Sequence, residues 1–286
     1  MITTDDMLQA YYDCRKRKRR TASAVVYEMD YEARLIALRD RINTRQYAPG
    51  KSICFVVTRP RYREVFAASF EDRIVHHYIA LRLEPLFEQI FSPRTFNCRK
   101  GKGQLYGVKM LERDLRTVSQ NYTRDCWVMK LDLKGFFMSI DRKMLAGLID
   151  AFIVQHYDGP DKEDLRYACQ VVILHSPEKN CERHSPARFW DFLPPHKSFF
   201  TNTPGKGVAI GNLLPSCLQT SCLTSWTGTW KKSAYPTTAG TWTTSTAYTP
   251  TKPCCWPLCL RYGRSWPNMG WPLMRRNFTC STTPKA

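Results

Sequence analysis

The chain has 286 residues, 43% apolar and 13% aromatic, enough apolar surface for one large or two ordinary domains, which excludes peptide, collagen-like and fully disordered classes. Its 43 Lys and Arg against 25 Asp and Glu give a formal charge of +18, favouring a polyanionic partner such as nucleic acid. The 12 cysteines follow no framework spacing, no apolar run reaches the ~18 residues of a membrane helix, and Asp5 and Asp6 stand where an export signal would carry cations. Reduced thiols, a cytoplasmic location and no membrane partner are the expectations.

Met1 to about Tyr47 reads as mostly helical. It contains a basic run from Arg15 to Arg20, either a solvated face or a phosphate contact, and an amphipathic stretch from Tyr31 to Ile42. Ile53 to Val57 is a short β-branched run ended by Thr58-Arg59-Pro60, a strand. Phe70 to Ile90 has apolar residues at helical spacing, with a break or kink expected at Pro85. Ser92 to Gly107 is rich in Gly and cations and reads as a loop able to approach phosphates, though without Walker spacing. Val108 to Val118 is helical. Trp127 to Leu133 is the clearest strand, punctuated by Lys130 and Asp132 and stopped at Gly135. Met144 to Ile153 and Leu165 to Leu174 read as helices, and Pro177 to Pro204 as a loop-rich segment.

Composition changes sharply near Leu213. Leu214 to Ala286 holds eight basic residues, six Cys, six Trp and fifteen Thr, but no Asp or Glu. Folded surfaces mix both signs of charge, so this tail resembles neither a domain nor a linker. Cys254, Cys255 and Cys259 lack paired C-x-x-C spacing, so a zinc site is not expected there.

Asp132 is the residue most suggestive of chemistry. A carboxylate late in an apolar strand is costly to bury without a cation or hydrogen bonds, so it is either a metal ligand or a strand-end cap for a turn. His76 and His77 lie in a helical pattern, where packing or hydrogen bonding is the ordinary role.

Val128 to Asp141 closely resembles motif A of reverse transcriptases, with Asp132 opening the pattern and an aromatic, Phe137, five residues later. Three further blocks resemble the same family in order. Arg63-Glu64-Val65 with Phe70 to His77 is similar to its fingers segment, and Arg94 to Gly103 to the next block. Pro194 to Ser198 with Gly205 to Leu213 is similar to the approach to motif B. The Ile210-Gly211-Asn212 form points to the enzymes of diversity-generating retroelements, and the likeness covers roughly residues 25–213.

The resemblance implies an α+β fold. Residues 1–125 would form right-hand polymerase fingers with a basic N-terminal helix, 126–213 a partial palm, and 214–286 a tail that is no folded domain and is expected to be disordered. It implies RNA-templated DNA synthesis, in which Mg²⁺ stabilises the attacking and leaving oxygens. Asp132 would be the catalytic metal ligand, and Phe137 would pack under the sugar. Arg63 and Arg73 would bind the triphosphate, and Gly211 would allow close approach of the main chain to nucleotide or template. Arg99, Lys100 and Lys102 would contact the template backbone. The implied partners are template RNA, its cDNA, deoxynucleotides and a small basic accessory protein. The alternative is a non-catalytic RNA-binding protein using the basic fingers surface.

Such a polymerase should continue with Ser-Gln, a helix and a Tyr-x-Asp-Asp hairpin, and the written chain has none of them. The genetic code offers a reason. Trp is always TGG and Thr always begins AC, so joining the last base of each codon to the next two turns Trp242-Thr243 into GAC, an Asp codon. Gly240 to Thr244 then permits Tyr, Val, Asp, Asp. Pro215 to Trp230 permits QLFANFLLDELDRYV, which resembles the segment downstream of motif B. Arg275 to Ala286 permits KKFYLQHYTKG, similar to the segment after the catalytic hairpin. One net frameshift between about Leu213 and Ser216 accounts for all three and for the missing carboxylates. The rival reading is a genuine Trp- and Thr-rich tail that stacks on bases.

Overall fold

A computed structural model describes residues 1–16, 18–91, 93–96, 99–124, 126–132, 135–211, 238–240, 244–249 and 281–285. The chain forms two compact units, Met1–Gln89 with Ile140–Leu218 and Ile90–Ser139 with Gln219–Ala286. Helices predominate over small sheets, an α+β arrangement. Among the described residues no helix is long and apolar enough to cross a membrane.

The first unit opens with α1 (Thr4–Arg15), α2 (Ala22–Glu28) and α3 (Tyr31–Asn43), in line with the helical start expected to Tyr47. Thr3 and Asp6 form a capping box: the Thr3 Oγ accepts the Asp6 N–H at 3.2 Å and the Asp6 carboxylate accepts the Thr3 N–H at 2.9 Å. The basic run is not one continuous helix, because α1 stops at Arg15. Arg15 is paired with Glu28 and Lys16 with Asp13 at 2.9 Å, while Arg19 and Arg20 are exposed.

α4 (Phe70–Ile90) is the central element. Phe70, Ile74, Val75, Tyr78, Ile79, Leu83 and Phe87 are all buried, covering much of its circumference. Of the break or kink expected at Pro85 the break does not occur, because α4 runs through it as helix. The ring removes one backbone donor, but Leu83 and Phe87 are anchored in the core on either side, and that packing outweighs the local loss. At its middle, Tyr78 donates to Asp161 at 2.8 Å and Arg82 Nε to the same carboxylate at 3.0 Å, joining α4 to the start of α8 (Lys162–Leu174). α7 (Arg142–His156) packs on α8, with Arg166 gripping Asp150 at 2.7 and 3.0 Å. The Asp141 carboxylate caps α7 by accepting the Met144 N–H at 3.0 Å.

The small sheet of this unit has the order β2-β1-β4, with β1 Ser52–Val57, β2 Arg63–Ala67 and β4 Cys181–Arg183. β1 and β2 are antiparallel, with Val57 opposite Arg63. β4 is parallel to β1, with Cys54 opposite Arg183. The segment read as loop-rich, Pro177 to Pro204, therefore supplies a strand and a short helix, α9 (Arg188–Asp191). Both are too short to carry a periodic signal.

In the second unit α5 (Gln104–Val118) begins four residues before the expected Val108, so the Gly- and cation-rich loop ends at Gly103. Arg94 pairs with the buried Asp114 of α5, which fixes the start of this loop to the helix. α6 (Phe136–Ser139) is a single turn. The sheet has the order β5-β6-β3-β7, all neighbours antiparallel, with β3 Cys126–Asp132, β5 Thr238–Gly240, β6 Thr244–Thr249 and β7 Ser281–Lys285. β3 is the strand expected at Trp127 to Leu133. The other three come from the tail expected to be disordered, and the remainder of that tail lies outside the described residues.

Candidate catalytic and nucleic-acid site

Asp132 is the last residue of β3, directly across from Thr244, the first residue of β6. β5 pairs back on β6 with Gly240 opposite Ser245, so the two tail strands run antiparallel at the end of β3 that carries Asp132. Gly135 then adopts φ +67°, a left-handed conformation that a glycine takes without the steric cost of a Cβ. Its carbonyl accepts the N–H groups of Met138 and Ser139, both at 3.1 Å, and starts α6. Phe136 is buried and Phe137 half-buried, their rings edge to face at 5.6 Å.

Among the described residues no group of three or more His, Cys, Asp or Glu side chains is gathered where it could hold a metal ion. Two Mg²⁺ ions a few ångströms apart require several acidic oxygens. Facing Asp132 is Thr244, and Leu214 to Ala286 contains no carboxylate side chain at all. Asp132 is thus the one acidic residue that the pairing of β3 with β6 and β5 brings to this end of the sheet among the described residues.

The three cations expected to hold template phosphates lie beyond Phe96. Arg99 is buried, donates to the Thr95 carbonyl at 2.7 Å and lies 5.4 Å from the centre of the Phe91 ring. Lys100 is exposed, and Lys102 Nζ lies 5.7 Å over the Tyr106 ring. Arg99 thus helps build the loop that carries Lys100.

Arg63, Arg73 and Gly211 belong to the first unit. Arg63 opens β2 and is exposed; Arg73 sits in the first turn of α4 and is half-buried. Neither has a carboxylate partner among the described residues. Gly211, at φ +121°, serves the fold itself, since a Cβ there would stand 2.6 Å from Val65 Cγ1 and 2.9 Å from the Phe66 carbonyl oxygen. The preceding Ile210 carbonyl accepts the Phe66 N–H at 3.0 Å, so this glycine lets the chain seal the outer edge of β2.

Two buried groups in this unit carry no signal of their own in the sequence. Glu64 is buried on β2 and accepts from Trp190 Nε1 at 3.0 Å, Ser198 Oγ at 3.2 Å and the Phe199 N–H at 2.7 Å. It organises a segment more than a hundred residues downstream. A cavity of about 60 Å³ is lined by Asp72, His76, Arg142 and His175 together with Gly207, Val208 and Ala209. Arg142 Nη1 donates to Ser176 Oγ at 3.1 Å and to the His175 carbonyl, whereas Arg142 Nε, His76 Nδ1 and His175 Nε2 are buried without a protein partner. Such a mixed donor and acceptor set suits ordered water.

No protein-family model matches the chain, and no curated protein matches it.

The histidines behave as core residues. His77 is bonded to Asp13 at 2.8 Å. Burial pushes His76 down from the ordinary 6.5 to about 4, and burial also lowers His77 and His175. Near neutral pH His76 is uncharged in both folded and unfolded chains. As pH falls below 6.5 the unfolded chain takes up the proton first, so stability contributed by the neutral form is lost between about 6.5 and 4. The loss should total about 3 kcal/mol from His76. Urea melts at pH 7 and 4.5 check this: the parent should weaken markedly and His76→Gln should weaken less steeply. Parallel profiles for the two would refute the assignment.

Proposed function

We propose that the gene encodes a reverse transcriptase of the diversity-generating type and that the polypeptide as written is its fingers and first palm strand joined to an out-of-frame tail. The observation carrying this reading is the coincidence of two independent registers. In the sheet, Thr244 is the residue opposite Asp132 and Gly240 closes the adjacent strand. In the codons, the stretch Gly240 to Thr244 is the one whose shifted frame permits Tyr-Val-Asp-Asp. On this reading the codons that would restore the acidic pair are those of Trp242 to Thr244, and Thr244 is the residue that pairs with Asp132.

On this reading the frame-restored enzyme would use Asp132 and that pair to hold Mg²⁺, Phe137 to exclude a ribose 2′-hydroxyl, Arg63 and Arg73 to receive the triphosphate, and Lys100 and Lys102 to meet the template backbone. Arg99 contributes by holding the loop that carries them. A cytoplasmic location, with template RNA, deoxynucleotides and a small basic accessory protein as partners, belongs to the same proposal. The written chain, with one of three carboxylates, retains only the capacity to bind nucleic acid.

The nucleotides beneath Leu213 to Ser245 test the reading directly. They should contain one net shift, followed by codons that regroup into the acidic pair. A frame that is continuous in the gene, with native peptides spanning Leu214 to Ala286, would overturn it in favour of an RNA-binding protein.

A further inference from the structure

The first unit carries a second basic surface, built around the outer sheet and α9. The β1–β2 connection presents Arg59 and Arg61, and the segment from α9 onward presents Arg188 and Lys197, all four exposed. None has a carboxylate partner among the described residues. Acidic relief is scarce: from Arg183 to Lys206 the sequence holds one acid, Asp191, while Glu182 is occupied by Lys51 at 3.2 Å and His184 at 3.3 Å.

Aromatic rings are interleaved with these cations. Phe192 is 62% exposed and its ring centre lies 5.5 Å from that of Tyr62. Arg183 stacks 3.9 Å over Phe200 and lies 5.3 Å from Trp190. Trp190 is fixed by its Nε1, which donates at 3.0 Å to buried Glu64, whose neighbours on the strand are Arg63 and Val65. A large exposed ring paired with a half-buried one is poor packing for a solvent surface and a good platform for a flat ligand.

We infer that this strip binds single-stranded nucleic acid, with bases stacking on Phe192 and Tyr62 and phosphates meeting Arg59, Arg61, Arg188 and Lys197. Unpaired cations supply backbone affinity, and ring faces are useful only to bases that are not already stacked in a duplex. Naming the strand as a template rests on the polymerase reading above; the binding itself does not.

Fluorescence anisotropy of the purified full chain with a short labelled oligouridylate, over a salt series and without nucleotide or metal, tests the strip. Joint replacement Arg59→Ala and Arg61→Ala should weaken binding about tenfold and reduce the slope of log affinity against log salt by about 1.4, roughly 0.7 for each lost phosphate contact. Phe192→Ala should weaken binding about fivefold or more with the slope unchanged. The pair Arg188→Ala and Lys197→Ala, on a separate exposed segment, gives an independent second reading should the first variant prove less stable. Affinities within twofold of the parent for all three, or equal losses on a duplex of the same length, would overturn the inference, as would an acidic peptide competing as well as the oligonucleotide. Because DNA synthesis is no part of the readout, failure of the polymerase reading leaves this result standing, and the reverse holds equally.

Discussion

Asp132→Ala in a frame-restored chain should lower primer extension by about a thousandfold or more while leaving RNA affinity within about twofold. The separation comes from the residue's part in each reading. As a metal ligand it supplies charge at the reacting phosphate, where loss of one acidic oxygen removes an ion that both attacking and leaving groups need. As a strand-end cap it would contribute about 1 kcal/mol to local stability, and synthesis would fall only in proportion to unfolding. Extension assays on Asp132→Ala and Asp132→Asn, paired with thermal melts, distinguish the two: a cap predicts that Asn retains most activity, and a ligand predicts that neither variant does.

The largest effect on stability is expected at Glu64. Glu64→Ala would strand two buried donors, Ser198 Oγ and the Phe199 N–H, and the half-buried Trp190 Nε1, which now share one carboxylate. An unmet buried donor costs about 1–3 kcal/mol, so the variant should lose roughly 3–5 kcal/mol. In a unit of this size that lowers the melting temperature by about 10 °C. Glu64→Gln keeps one acceptor oxygen and should recover part of the loss. Because the bonded partners form the segment between α9 and Phe199, hydrogen exchange there should accelerate first. A melting temperature unchanged in Glu64→Ala would mean that water replaces the carboxylate without cost.

These two residues mark the reach of sequence reading in this chain. The strand that ends at Asp132 was legible because β3 is an apolar run long enough to identify. Glu64 was not, since its partners stand 126 to 135 residues away and nothing local marks them. The parallel pairing of β4 with β1 was hidden for the same reason: Cys181–Arg183 is three residues long and owes its strand geometry to the chain beside it. Pro85 shows local preference overruled by a buried surround. His76 and His77 matched the ordinary expectation for helical histidines, one buried and neutral, the other bonded to Asp13. Among the site residues, Arg99 and Gly211 were read for contacts with nucleic acid, and each has an evident role within the fold, holding a loop and closing a strand edge. The strands drawn from the tail had no signature in composition; the place of β6 opposite Asp132 arises from pairing, which sequence periodicity does not record.

The most direct test of the frameshifted-polymerase reading compares two purified proteins in one primer-extension assay with Mg²⁺, an RNA template and deoxynucleotides: the chain as written and the chain with a single base restored between the codons for Leu213 and Ser216. No synthesis is expected from the first and template-dependent synthesis from the second. Robust synthesis by the chain as written, or none from a well-folded restored chain, would contradict that reading.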